Sequence, residues 1–211
     1  MIKGLILDMD GTILDSHDFH LEAWKLLLKK YNINKSEFEI LSLFGKTTEA
    51  IATSLFPSEF DPVKVGEEKD NFFLSLVSDI CPFSGVKELI LHLKQQNYKI
   101  CVASSNPFIT IQTICTNCDL DVDACVGVDE IEHGKPAPDM ILAAASRLGL
   151  RPSECLVVGD SPYDIQAAKA ANCKVVTVLT GGHSLESLKK EGPDFILQTI
   201  TELESVLEKF T

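Results

Sequence analysis

Long apolar runs are missing from this chain of 211 residues, and so is any excess of basic side chains. No segment approaches the length of a membrane-spanning helix. The formal net charge of −12 argues against a nucleic-acid surface, where a basic stripe is expected. It does not argue against a phosphorylated ligand, because a local metal and one or two lysines can reverse the field within a cleft. The opening MIKGLILDMD turns acidic after a very short apolar stretch, unlike an export signal. A disulfide framework is lacking too: seven cysteines, an odd number, lie scattered, several in apolar runs, as reduced cytoplasmic thiols do. Cys115 and Cys118 have redox spacing but fall at a helix end, where no positive dipole would activate a thiol. Repeats and low-complexity tracts are absent, and nothing in the pattern sets an oligomeric state. What remains is a chain with 45% hydrophobic residues, enough for a sizeable core in one domain carrying an insertion.

The organising stretch is Gly4 to Leu14, GLILDMDGTIL. The apolar run Ile2–Leu7, broken only by Lys3, predicts a strand buried on both faces. Asp8 and Asp10 then fall at its carboxyl end, where an open α/β sheet binds ligands. Unpaired carboxylates there are costly, and a divalent cation would solve that problem. From Asp15 to about Pro82 the periodicity is helical: Leu21, Trp24, Leu27 and Leu28, then Ile51, Leu55 and Phe56, then Phe72, Leu76 and Ile80. Beyond Pro82 helices and strands alternate, with strands at Lys99–Ala103, near Ala124–Val128, and at Cys155–Val158, Lys174–Leu179 and Asp194–Leu197. The reading is an α/β fold, a Rossmann-like doubly wound parallel sheet core (1–15 and 83–211) with an inserted all-helical cap (16–82).

Three more strand ends carry chemistry. Val102–Asn106, VASSN, ends a strand in hydroxyl and amide groups before Pro107. Ser104 and Asn106 could hold a phosphate at a helix start, or Ser105 or Asn106 could cap that helix. In GKPAPD, 134–139, two prolines frame Lys135 and restrict where it points. In VGDSPYD, 158–164, Asp160 ends another strand and Asp164 lies one helical turn on; alternatively Asp160 caps the helix. A parallel sheet gathers these points along one edge. Carboxylates, a hydroxyl and a lysine there are what Mg²⁺-assisted phosphoryl transfer to a carboxylate requires.

DMDGT, VASSN, GKPAPD and VGDSPYD, in this order over nearly the whole chain, resemble the motifs of the haloacid dehalogenase-like hydrolase superfamily, in its branch of helical-cap phosphatases and β-phosphoglucomutase-like enzymes. The resemblance implies Asp8 as nucleophile and Asp10 as general acid and base. It implies Mg²⁺ held by the Asp8 carboxylate, the Asp10 backbone carbonyl and the Asp160 carboxylate, with Ser104, Asn106 and Lys135 on the phosphate. Asp164 is then a supporting acid that orients Lys135 or a metal-bound water. Asp10 stands where dehalogenases of the superfamily have an aromatic residue and phosphonate-cleaving members an alanine, which sets both chemistries aside. Hexose-phosphate mutases usually carry Glu-Asp where this chain has Gly159-Asp160, which favours a phosphatase of small metabolites such as sugar phosphates or phosphoglycolate. A mutase is the first alternative, and a phospho-acceptor or phosphometabolite-binding protein the second.

Substrate choice is expected in the cap. Phe44–Glu49 is the candidate specificity loop, with Gly45 supplying flexibility and Lys46 charge, or else a helix start capped by Thr47. His20 on the first cap helix either reaches the site or decorates an amphipathic surface.

Overall fold

The computed structural model describes residues 1–44 and 46–210, so Gly45 lies outside the described residues. Six strands form one sheet: β1 Gly4–Leu7, β2 Lys99–Ala103, β3 Ala124–Val126, β4 Cys155–Gly159, β5 Lys174–Val178 and β6 Phe195–Leu197. Their order across the sheet is β3-β2-β1-β4-β5-β6, and every pairing is parallel. The chain builds outward from β1 to β3, then crosses back to start β4 on the other side of β1. The crevice between β1 and β4 is therefore a topological switch point, where such sheets bind ligands.

Alternation along each strand feeds two cores. Leu5 and Leu7 of β1 and Ile100 and Val102 of β2 pack into one, Ile6 and Cys101 into the other. The first core takes in α5 (Val86–Gln95), α6 (Phe108–Asn117) and the C-terminal α10 (Glu204–Leu207). The second takes in α7 (Asp139–Arg147), α8 (Pro162–Ala170) and Leu188 of α9 (Leu185–Glu191). Helices on both faces explain why the strands are apolar throughout. Each fully buried Leu or Ile contributes roughly 1.5–3 kcal/mol.

Between β1 and α5 the chain is helical: α1 His17–Lys30, α2 Glu37–Leu41, α3 Thr48–Leu55 and α4 Pro62–Leu76. A third core of Trp24, Leu27, Leu28, Ile40, Ile51, Leu55 and Val65 holds these helices together. The chain leaves the sheet and returns to it at one place. Leu14 bridges Pro82 in antiparallel fashion, Asp15 N–H donates to Cys81 O and Phe83 N–H to Ile13 O.

The structure trims several expected elements. Ile2 and Lys3 precede β1, and Phe56 and Ile80 lie just past helix ends, buried but in extended backbone. The five-residue α2 has too few turns to show periodicity; its Ser36–Glu39 capping box is its only local signature. Neither Ser105 nor Asn106 caps α6: the free N–H of Phe108 is taken by Asp129 Oδ1 at 2.8 Å, from 21 residues away. Asp160 does not cap α8, because Ser161 does. Thr47 does cap α3, accepting from Ala50 N–H, and Asn172 adopts the left-handed conformation (φ 58°) after α8.

Candidate active site

Asp8 and Asp160 follow β1 and β4 and face each other across the switch point. The Asp8 N–H continues the ladder to Val158 O at 2.8 Å. Thr12, fully buried, directs its hydroxyl to both acids, 3.4 Å from Asp8 Oδ2 and 3.3 Å from Asp160 Oδ1. Gly11 has φ +74°, and a Cβ there would lie 2.9 Å from Asp160 Oδ2, so only glycine fits the turn. The loop after β5 approaches closer still. Thr180 donates to Gly11 O at 2.6 Å, and a Cβ on Gly181 would fall 1.7 Å from Asp160 Oδ2.

Lys135, 8% exposed, threads between the acids: its Nζ is 2.5 Å from Asp8 Oδ1, 2.7 Å from Asp164 Oδ1, and donates to Ala103 O at 3.2 Å. Asp164 belongs to the α8 capping box, its Oδ2 accepting from the Ser161 N–H and hydroxyl. Its other oxygen, Oδ1, is buried and meets Lys135 without a well-aligned hydrogen bond. Gly159 makes room for this carboxylate, since a Cβ there would lie 2.4 Å from Asp164 Cγ.

Oxygens of Asp8, Asp160 and Asp164 all lie within 4.8 Å of one another. Three carboxylates facing one lysine leave surplus negative charge in a buried place, and the titration behaviour records it. Burial drives the Asp8 carboxyl up to about 7 against the pull of Lys135, with Asp164 adding to the rise. Burial, Asp8 and Asp164 together hold Asp160 well above the ordinary carboxylate range. Burial opposes the Lys135 charge, but Asp164 and Asp8 overcome it and hold the ammonium above its usual range. An all-oxygen donor set with unspent charge fits a hard divalent cation and suits zinc poorly.

Asp10 points into a different set of contacts. Ser16 and His20 donate to Oδ1, the latter from Nε2 at 3.0 Å, and Asn106 Nδ2 donates to Oδ2 at 2.5 Å. Ser104 Oγ lies 3.5 Å from Oδ2 and accepts from the Asn106 N–H and amide. Ser16 is the N-cap residue of α1, yet its hydroxyl caps nothing, because it is committed to Asp10. A cap is worth about 0.5–2 kcal/mol, so helix stability is given up here for the site.

Behind His20 stands Lys69 of α4, only 3% exposed. Its Nζ is 2.9 Å from His20 Nδ1 and 3.2 Å from Asp70 Oδ1. The imidazole stacks on Phe73 at 3.8 Å, and Lys69 sits over the same ring. Burial and the Lys69 charge lower the His20 pKa, although Asp10 opposes them. A neutral ring accepting from Lys69 at Nδ1 and donating to Asp10 from Nε2 satisfies every partner. Burial would raise the Asp10 carboxyl, but His20, Ser16 and Lys69 outweigh it and hold Asp10 below the usual range.

Asp8, Asp10, Ser104, Asn106, Lys135, Asp160, Asp164, His20 and Lys46 thus line one cavity of about 250 Å³. Lys69, His17 and His183 line it as well, and the sequence reading missed all three. Lys69 had a legible signal, a charge four residues from both Val65 and Phe73 on the buried face of α4. His183 follows the glycine pair of the β5 loop, and burial pushes its imidazole down.

Acids at the tips of adjacent parallel strands, a buried lysine between them and a helical block over the cleft define an α/β enzyme with a charged cleft at its switch point. The chain belongs to the haloacid dehalogenase-like hydrolase family, whose model matches residues 5–178. It is 31% identical over 180 residues to the fructose-1-phosphate phosphatase YqaB of Escherichia coli K12, covering 83% of this chain and 95% of that one. It is 27% identical over 214 residues to the pyrophosphatase PpaX of Bacillus cereus, covering 98% and 96%. Among solved structures, a β-phosphoglucomutase from Clostridium difficile superposes with a TM-score of 0.84 at 26% identity, covering 100% and 97%. No helix among the described residues is long and apolar enough to cross a membrane.

Proposed function

We propose that this hydrolase removes the phosphoryl group from a small phosphorylated metabolite by way of an aspartyl phosphate on Asp8, with Mg²⁺ as cofactor. The observation that carries the reading is the division of labour between two carboxylates two residues apart. Asp8 lies in the charge-surplus cluster with Lys135, while Asp10 is held by four donors from two segments, the start of α1 and the loop after β2. In the first half-reaction an Asp8 oxygen bonds to phosphorus, the ester P–O bond breaks, and Asp10 gives a proton to the departing alkoxide. A phosphoryl dianion entering beside Asp10 raises its affinity for that proton. In the second half-reaction Asp10 takes a proton from water, which attacks phosphorus and frees Asp8 and phosphate. Lys135 offsets repulsion between Asp8 and the incoming phosphoryl oxygens, and Asp164 holds Lys135. Ser104 and Asn106 carry donors that serve Asp10 and the phosphoryl group. His20 and Lys69 orient Asp10. The Asp8 and Asp160 carboxylates and the Asp10 carbonyl would hold Mg²⁺, which supplies charge stabilisation for the transferring group.

The helical block 16–82 acts in this reading as a cap over the core, 1–15 and 83–211, with Lys46 at its specificity loop. Seven free cysteines are in keeping with a reducing cytoplasm. A hexose-phosphate mutase is the second reading, favoured by the likeness to β-phosphoglucomutase over the whole chain. Against it stands Gly159, since a glutamate there would collide with Asp164. The test is phosphate release from a panel of small esters, with Mg²⁺ and with chelator, for the wild type and Asp8→Asn. Metal-dependent release lost in the variant is expected. A hexose 1-phosphate converted to the 6-phosphate without free phosphate would overturn the phosphatase reading.

A further inference from the structure

The two ends of the cavity differ in charge. At the floor stand Asp8, Asp10, Asp160 and Asp164, and these are its only acids among the described residues. The other ionisable groups that line it are basic: Lys135 between the floor acids, His20 and Lys69 committed to Asp10, and His17, Lys46 and His183. This lack of further carboxylates stands against the acidic excess of the chain, 31 acidic to 19 basic residues.

Lys46 Nζ has no ion pair or hydrogen bond among the described residues, and it lies at the start of α3 beside the cavity. His17 stacks on Phe44 at 5.8 Å, and its nitrogens have no hydrogen bond among the described residues. His183 lines the cavity from the loop pinned by Thr180 and Gly181, close enough to Asp164 and to His17 for their charges to act on it. Three groups able to donate, from three segments, therefore line the same cavity as the acids. Among the described residues the wall beyond the floor offers no carboxylate and no uncommitted amide. Ser42 spends its hydroxyl proton on Glu39 O, and Asn106 is committed to Asp10 and Ser104.

A neutral sugar presents hydroxyls that both donate and accept, and sites that read them supply acceptors such as Asp, Glu, Asn or Gln. Carboxylates and phosphates only accept. A wall with an unpaired ammonium and no carboxylate matches the second kind of group.

We propose that the leaving group of the substrate is itself anionic, carrying a carboxylate or a second phosphoryl group that Lys46, His17 and His183 hold. The inference rests on the phosphatase reading and narrows it. The chosen substrate bears two acidic groups a few bonds apart, and a neutral polyol or sugar monophosphate is a poor fit.

The test uses the full chain with Mg²⁺ and matched esters. Phosphoglycolate is set against hydroxyethyl phosphate, which replaces the carboxylate by a hydroxymethyl group. Propanediol bisphosphate is set against its monophosphate, and p-nitrophenyl phosphate reports bare phosphatase chemistry. The anionic member of at least one pair is expected to show a kcat/KM higher by about tenfold to about a hundredfold, the range of a charged hydrogen bond. The pair that shows it tells carboxylate from phosphate. Lys46→Gln should collapse that ratio by about tenfold, while Lys46→Arg keeps it. Equal turnover within both pairs, or a ratio unmoved by Lys46→Gln, overturns this inference and leaves the phosphatase reading standing. Inertness towards every ester, p-nitrophenyl phosphate included, overturns both.

Discussion

Replacing Lys69 by methionine tests the chain of contacts that ends on Asp10. The ammonium sits 2.9 Å from His20 Nδ1, and His20 Nε2 sits 3.0 Å from Asp10 Oδ1. Methionine keeps the length of the side chain and its packing on Phe73 while removing the charge and donor. A charged hydrogen bond of this kind is worth about 1.5–3 kcal/mol. If that energy serves to orient Asp10 in the transition state, kcat falls by about tenfold to about 150-fold with little change in KM. His20→Phe retains the stacking and removes both nitrogens, so it should cost a similar factor. The double variant decides the matter. If Lys69 acts through His20, the combined loss equals the larger single loss, whereas independent effects multiply. The pH profile gives a second readout. Lys69 is one of the groups holding Asp10 below the usual carboxylate range, so its removal raises the Asp10 pKa and, because Asp10 must carry a proton to give to the leaving group, moves the alkaline limb of kcat/KM to higher pH. Steady-state kinetics across pH and thermal melts of all four proteins would measure this. Multiplying effects, or a kcat loss matched by unfolding at the assay temperature, would refute the reasoning.

Magnesium binding should depend on pH. Asp8 rests at about 7 without metal, so the cation must displace its proton at lower pH. Affinity should fall about tenfold per pH unit below 7, reaching about a hundredfold at pH 5, with proton release seen by calorimetry in two buffers. A pH-independent Kd would contradict the burial argument. The same shift has a stability sign. The folded pKa of Asp8 lies above its unfolded value, so the metal-free protein is destabilised by ionisation and loses stability as pH rises from about 4 to about 7. Gly181→Ala places a Cβ 1.7 Å from Asp160 Oδ2 and must displace that carboxylate. An affinity loss of about 10–100-fold for Mg²⁺ is expected by calorimetry, and a wild-type Kd would mean that Asp160 is not a ligand.

The strands were legible because a sheet covered on both faces needs unbroken apolar runs, and each run here ends where a polar residue begins. Asp8, Ser104 and Asp160 sit just past β1, β2 and β4, so locating the strands located these side chains. What was not legible depends on contacts distant in sequence. The cap of α6 is Asp129, supplied by another loop, and Ser105 and Asn106 looked equally able to serve. Lys69 lies 49 residues from His20 and becomes meaningful only once α4 packs on α1. His20 itself had two open readings, and α1 alone could not choose between them, since the contact with Asp10 depends on how the chain turns at Ser16. Gly181 shows no special backbone angle; only the approach of Asp160 explains it.

The two crossings between sheet and helical block are bonded to each other through Leu14 and Pro82, and this gives the molecule a fulcrum. Asp10 is clamped from both sides of it, by Ser16 and His20 on the lever and by Asn106 on the frame. Asp8, Lys135 and Asp164 all belong to the frame. Any rotation of the lever therefore strips half the clamp from Asp10 and leaves Asp8 with its partners intact. Asp10 is fully held only while the two sides of the joint stay together, so its orientation reports the position of the lever.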